Sequence, residues 1–506
     1  MGYFMDNFRS RMQSWLQINP PLAMTINIEE VLDFTGNAIK NKIWYRGDAN
    51  ELEQLYFQIP KHAVEMQKFW ASHATPGMEM RKIHTGLPAT MVDILAGIIT
   101  SNINAVDIQG AASAADAWEK TETENNFKQI LEKAIKQTLV IGDGAFKISI
   151  DKELSEYPII EYWSGDNVEF CYKRGRLQKV IFKSYHATDA GTLELKEIYG
   201  KGYIDYELYR GGEPCDMGID KRFEGLTRIE WESDLMLAVP CKFYESAKYE
   251  GRGQSIFDKK IDAFDSFDEA YSQWIDALRA GRTKEYIPEN LIPRNFTTGK
   301  VLKPNAFDNR YIMTDADMKE RAGNKIVTEA GDIRHDSYAA TYAAALELCL
   351  QGIISPSTLG VDIKKLDNAE AQREKEKVTL YTRDAIIETL TPTIEKLIIT
   401  TLSAYFLSIG TPAPEYTVVV SFQDYANPSF ESQIETIGKG RTQGILSIEA
   451  AVEELYGDDR TEEWKAEEVA RLKNEQGYAE VPEPMVGADI WQSYTSQTST
   501  AAQAMN

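Results

Sequence analysis

Between residues 257 and 278 apolar side chains return at alternating steps of three and four: Phe257, Ile261, Phe264, Phe267, Tyr271, Trp274 and Leu278. That period is one face of a helix about six turns long, and Gly281 is placed to stop it. Beside the apolar face runs an acidic stripe of Asp258, Asp262, Asp265, Glu269 and Asp276, whose steps of four, three, four and seven keep the carboxylates about 100° from the aromatic side chains. Carboxylates so spaced oppose the helix by a few tenths of a kcal/mol per pair, roughly. Taken alone the stripe is a solvated face.

The same reading divides the rest of the chain. Residues 1–140 are mainly helical in pattern, with turns at Asn19–Pro21, Arg46–Asp48 and His73–Gly77. RKIHTGLPATMVDILAGIITSN gives the best helix, with Met91, Ile94, Leu95, Ile98 and Ile99 inward. From IGDGAFKISID the period shortens to β-rich runs, PIIEYW, VEFCYK, KVIFKSYHA, ELKEIYG and YIDYELY, and this α+β body ends near Tyr249. EGRGQ, residues 250–254, reads as a hinge or linker ahead of the long helix. Residues 283–333 are short strands (YIPENLIP, KVLKP, RYIMT, NKIVT) broken by prolines; with eight basic and eight acidic residues they form a neutral module in an acidic chain. HDSYAATYAAALELCLQGII is an Ala-rich helix, and another runs from about Asn368 to Phe406 with Val378, Tyr381, Ile387, Leu390, Ile394, Leu397, Ile398 and Leu402 inward and a kink expected before Pro392. EYTVVVSF is a last strand, followed by two or three acidic helices between Phe430 and Glu475. A tail from Val481 without Lys or Arg is expected to be disordered.

Composition narrows the function more than the fold. The chain has 506 residues, 43% of them hydrophobic, so it can bury more than one core. Its formal net charge is −23 and its isoelectric point about 4.8, which argues against general affinity for nucleic acid. Cys171, Cys215, Cys241 and Cys349 form no C-x-x-C pair, against zinc and a disulfide scaffold and for a reducing compartment. The N-terminus has neither a signal-peptide core nor a myristoylation pattern, since Asp6 stands where Ser or Thr is needed, and no apolar run spans a bilayer. A soluble protein is expected.

Catalytic chemistry is not found. GKGRTQG at 438–444 lacks the Lys-Ser/Thr pair of a phosphate loop, and His62, His73, His84, His186 and His335 have no metal-ligand spacing. No G-x-S-x-G elbow occurs, and no carboxylate pair stands out from so many. Arg46-Gly47-Asp48 is too short a match to count as an adhesion motif. The expectation is a protein that is not an enzyme and holds no metal or cofactor.

GVDIKKLDNAEAQREKEK, residues 360–377, puts Lys364 and Lys365 side by side in a turn, with Gly360 closing one helix and Asp367 and Glu370 opening the next like a capping box. Taken alone this is a solvated turn. The order of elements gives it a second reading. An α+β body, a long helix, a small β module, a returning helix, a turn and a kinked helix together resemble the portal proteins of tailed bacteriophages, of the long-tailed type. The similarity is clearest in KNKIWYRGDANELEQLYFQ at 40–58, in GRGQSIFDKKIDAFDSFDEAYSQWIDALRAGRTKEYIPENLI at 251–292, and in the run from 335 to 406.

The resemblance implies an α+β portal fold: a wing region at 1–249, first stem helix at 250–282, clip at 283–333, second stem helix at 334–354, tunnel loop and kinked wing helix at 355–410, helical crown at 411–480 and disordered tail at 481–506. It implies a ring, usually dodecameric, at one vertex of the virion's capsid, assembled in the host cytoplasm, through which double-stranded DNA is packaged and ejected. Its implied partners are the major capsid protein, scaffolding protein, the terminase large subunit and then a head-tail adaptor, with no membrane. Lys364 and Lys365 would then form a positive collar touching DNA phosphates without reading sequence. The acidic stripe would discourage sticking, because like charges repel by roughly 1 kcal/mol at about 4 Å in water and within about 8 Å at physiological salt. Arg294, Lys300 and Lys303 would dock partners at the clip, and Lys259 and Lys260 would pair with a neighbour's acids. The alternative is another virion structural protein, a tail or baseplate component without a DNA channel.

Overall fold

Asp33 opens the first described helix, α1 (Phe34–Arg46), by accepting the Gly36 N–H at 2.7 Å. Gly47, at φ +73°, closes it, and Asp48 caps α2 (Ala49–Gln58), so the turn expected at Arg46–Asp48 is present. The structure is a computed structural model that describes residues 30–59, 67–73, 80–101, 103–189, 191–281, 284–288, 294–300, 311–314, 327–329, 333–360, 369–422, 430–456 and 462–475. Helix α3 (Leu87–Ser101) buries Met91, Leu95 and Ile99 at the expected spacing, but begins six residues after Arg81, past a non-helical segment. Strand β1 (Ile103–Gln109) follows, then α4 (Ala112–Asn125) and α5 (Phe127–Ile141).

The strands read from the sequence between 143 and 210 are all present. β2 (Asp143–Ser149) lies between β3 (Ile159–Ser164) and β10 (Ala238–Lys242) in an antiparallel sheet. β4 (Val168–Lys173), β5 (Arg176–Thr188), β6 (Gly191–Gly200), β7 (Tyr203–Arg210) and β8 (Glu213–Cys215) form a second antiparallel sheet, with β9 (Ile229–Glu230) also on β7. Leu193, Leu195, Leu208 and Phe223 give that sheet a small core of its own. The main core joins α3, α5, β2 and the later helices through side chains such as Trp44, Leu95, Ile135, Phe146, Phe264 and Leu397.

Residues 250–254 are not a hinge. Gly142 and Gly253 pass so closely that a Cβ on Gly253 would lie 2.1 Å from the Gly142 carbonyl oxygen. Arg252 grips Asp143 with Nε and Nη2 at 2.9 and 2.7 Å, and also donates to the carbonyls of Gly165 and Val168. Ser255 donates to the Val140 carbonyl, and the Ile256 N–H to that of Leu139. The two glycines are there for close packing, and the segment is a fixed joint between body and helix.

Beyond the joint, Phe257 lies in a turn and helix α6 runs over Ile261–Ala280, four residues shorter at its start than the apolar pattern suggests. Strands β11 (Lys284–Pro288), β12 (Tyr311–Thr314) and β13 (Val327–Glu329) form a small sheet with β11 central, parallel to β12 and antiparallel to β13. Helix α7 (His335–Leu350) returns along α6, with Tyr342 against Phe267, Tyr271 and Trp274. Helix α8 (Ala369–Ser408) contains Pro392 and continues past it, and buries Leu390, Ile394, Leu397, Ile398 and Leu402. Val378 and Tyr381, expected inward, are 40% and 63% exposed. Strand β14 (Thr417–Phe422) pairs with β1, placing Val419 opposite Asp107.

The chain divides into two compact units, one of residues 1–364 and 375–425, the other of 365–374 and 426–506. In the second, α9 (Phe430–Thr442), α10 (Ile448–Tyr456) and α11 (Glu462–Glu475) supply the two or three helices expected there. Lys465 reaches Glu453 at 2.9 Å, Lys473 reaches Glu449 at 2.7 Å, and Tyr456 meets Trp464 edge-on. The tail from Val481 lies outside the described residues.

The joint predicts opposite effects for two glycine substitutions. Gly253→Ala forces a Cβ into backbone and should cost well over about 1 kcal/mol in denaturant unfolding. Gly97→Ala, in the middle of α3 with open space around its Cβ position, should instead add about 0.5–1 kcal/mol. A Gly253→Ala protein as stable as the parent contradicts the close approach.

Candidate functional site

Helix α6 carries the acids that the sequence singled out, and the structure separates them. Asp265 is buried, its carboxylate accepting the Phe69 N–H at 2.8 Å and the Trp70 N–H at 3.2 Å. Asp258 precedes the helix; it accepts from Asn37 at 2.8 Å, Asn41 at 3.1 Å and the Ser255 N–H at 3.0 Å. These two carboxylates are therefore spent inside the subunit. Asp262 and Asp276 are exposed, with Lys68 3.2 Å from Asp262, while half-buried Glu269 accepts from Gln273. The stripe is not one continuous surface: only part of it meets solvent.

The sequence reading passed over Asp268, which is the most heavily bonded acid on the helix. Its Oδ1 accepts from the Thr85 N–H and hydroxyl, and its Oδ2 from Trp70 Nε1 at 3.1 Å and from His84 Nδ1 at 2.6 Å. One turn on, Ser272 accepts the Ile83 N–H. Asp265, Asp268 and Ser272 thus lie three and four apart and strap residues 69–70 and 83–85 along α6. Trp44 and Trp70 pack edge-on around the His84 ring, and its Nε2 is buried without a hydrogen-bond partner. A signal was available in the sequence: Asp268 falls on the aromatic side of the helix, beside Phe264 and Tyr271, where an acid must be buried and bonded.

Burial pushes the Asp265 carboxyl up to about 6, against the two backbone N–H groups and Lys68, which pull it down. Burial also raises the Asp143 carboxyl, with the Arg252 guanidinium opposing. Lys260 does not wait for a neighbour's acids: its ammonium donates to the Leu348 carbonyl at the end of α7 at 2.7 Å, and burial lowers its pKa. Lys259 is exposed.

Of the clip residues, Arg294 and Lys300 are exposed at the two ends of a turn in which the Asn295 N–H donates to the Lys300 carbonyl and the Asn295 side chain accepts from Thr297 and Thr298. Phe296 is fully exposed at its tip. Lys303, Lys364 and Lys365 lie outside the described residues. No group of acids, histidines and cysteines able to hold a metal occurs among the described residues, and no helix there is long and apolar enough to cross a membrane.

A family model described as phage portal protein, SPP1 Gp6-like, matches residues 29–333. No curated protein matches the chain. Among solved structures, the chain is similar to one in the virion of a native gene transfer agent particle, at 15% identity and a TM-score of 0.39 over 72% of this chain and 88% of that one. It is similar at 15% identity and 0.39 to a chain in the neck of the native particle computed with C12 symmetry, over 74% and 91%. A chain in the neck of the empty particle, computed with C6 symmetry, gives 14% and 0.38 over 72% and 88%.

Asp265 sets a pH dependence. Its folded carboxyl titrates near 6 and an ordinary aspartate near 3.8, so between those values the folded state holds more protons than the unfolded one. Stability from this group is full below about pH 4 and is lost as pH rises through 6, by on the order of 3 kcal/mol. Asp265→Asn should flatten that fall in a series of unfolding curves from pH 4 to 7. The amide sets a donor against one backbone N–H, so the variant is less stable throughout, and the slope is the readout. An unchanged slope contradicts the assignment.

Proposed function

The chain belongs to the phage portal protein family, SPP1 Gp6-like, and from that membership we propose that it forms a homo-oligomeric ring at one vertex of the capsid, the channel for packaging and ejecting double-stranded DNA. The observation that carries this is the family match over residues 29–333, which takes in the α+β body, the fixed joint, α6 and the β11–β13 sheet. The protein acts as a structural part of the virion rather than as an enzyme.

Within that reading Lys364 and Lys365 contact DNA phosphates without regard to sequence, as a narrow collar in an otherwise negative duct. Asp262, Glu269 and Asp276 are the members of the acidic stripe left to face the channel or an adjoining subunit; Asp258 and Asp265 are withdrawn from that role by their internal bonds. A wall of exposed carboxylates repels phosphates, whereas a wall of lysines would hold DNA by releasing its counterions. The β11–β13 sheet with the Arg294–Lys300 turn serves as the docking site for the terminase large subunit and later the head-tail adaptor. The major capsid and scaffolding proteins meet the ring elsewhere.

Two experiments test these roles. A Lys364→Ala/Lys365→Ala protein should assemble normally and yet package or retain less DNA; packaging and retention equal to the parent would sink the collar. Arg294→Glu, Lys300→Glu and Lys303→Glu together should weaken adaptor capture at least tenfold, and undiminished pull-down would remove those residues from the docking site.

A further inference from the structure

Residues 170–188 contain no Asp or Glu, in a chain that has 78 of them, and they carry Lys173, Arg174, Arg176, Lys179 and Lys183. They form the hairpin of β4 and β5. Arg174 and Gly175 make its turn with φ of +52° and +72°, both left-handed, as a type I′ turn requires. Such a turn matches the twist of its strands, so the tip is held in one shape. Lys173 and Arg176 flank the turn and stand directly opposite each other in the ladder. Like charges so placed destabilise a hairpin.

Lys183 pairs with Glu169, and on neighbouring strands and loops Lys147, Arg228 and Lys242 each have a carboxylate. Lys173, Arg174, Arg176 and Lys179 have no ion-pair partner among the described residues, and residues 172–176 are all exposed. In a protein of net charge −23, four unpaired cations within seven residues are a concentrated exception.

We propose that the tip of the β4–β5 hairpin is a binding site for the phosphodiester backbone of nucleic acid, held by Lys173, Arg174, Arg176 and Lys179. A phosphate between Lys173 and Arg176 turns their repulsion into attraction, and the arginine forks match phosphate oxygens. The tip lacks the apolar core a protein partner would need: residues 173–176 present no apolar or aromatic side chain, and the one aromatic ring at its base, Tyr172, lies beneath the Lys242 ammonium. A phosphate backbone asks only for cations. The choice of duplex DNA as the form of nucleic acid rests on the portal reading; the charge argument does not.

The test is fluorescence anisotropy of a short labelled duplex with the full-length protein. Four phosphate contacts predict a fall in affinity of roughly a hundredfold from about 50 to about 200 mM salt. Lys173→Gln/Arg174→Gln/Arg176→Gln removes three of the four hairpin contacts and should bind far more weakly, with the slope of log affinity against log salt reduced by about 2.7. Arg176→Lys, which keeps the charge, should retain most of the affinity, and circular dichroism should show all the variants folded. Equal binding by parent and triple variant overturns the site. So does hairpin-dependent binding of poly-glutamate in place of DNA, which would assign the tip to an acidic protein segment. Loss of DNA binding in Lys364→Ala/Lys365→Ala alone would overturn the hairpin site while leaving the portal reading intact.

Discussion

The ion pair between Asp143 and Arg252 fixes how the rest of this subunit is put together. Asp143 has no exposure at all and takes both arms of the guanidinium and the Gly253 N–H. Arg252 in turn satisfies the carbonyls of Gly165 and Val168 and lies 3.6 Å over the Phe34 ring. One side chain thereby ties together the end of α5, the start of β2, the turn into β4, the head of α1 and the entry to α6. Removing either partner would leave a buried charge alone, which typically costs about 3–5 kcal/mol. A flexible linker at this point would let the long helix swing; the buried pair and the two facing glycines hold it.

The second consequence concerns where an acidic protein keeps its acids. Asp143, Asp258, Asp265 and Asp268 accept hydrogen bonds from backbone, asparagine, tryptophan, threonine, histidine and arginine donors inside the subunit. They tie α1, residues 69–70 and 84–85 and the joint to α6. The surface is left with acids such as Asp262 and Asp276. Against that background the unpaired cations of the β4–β5 hairpin stand out.

Much of this was legible in the chain, and the failures have physical causes. Strands β2 to β7 and helices α3, α6 and α7 follow from apolar period and turn residues, because each buries one face against its near neighbours. Strand β1 was missed because Asn104 and Asp107 blur its alternation and its partner β14 lies some 300 residues away in sequence. EGRGQ looked like a linker because glycine marks both flexible chain and tight packing, and only the apposition of Gly142 tells them apart. Val378 and Tyr381 share the helical period of α8 without being covered. In the candidate site, helical spacing grouped Asp265 with Asp262 although they differ completely in burial, and it passed over Asp268 because the aromatic face was read as wholly apolar. Arg252 and Asp143 carry no local motif; only the fold brings them together.

The portal reading is tested most directly by native mass spectrometry of the purified protein together with end-on electron micrographs. It predicts a closed, dodecameric ring around a central opening wide enough for duplex DNA. A closed ring whose centre is too narrow to admit a duplex would contradict it.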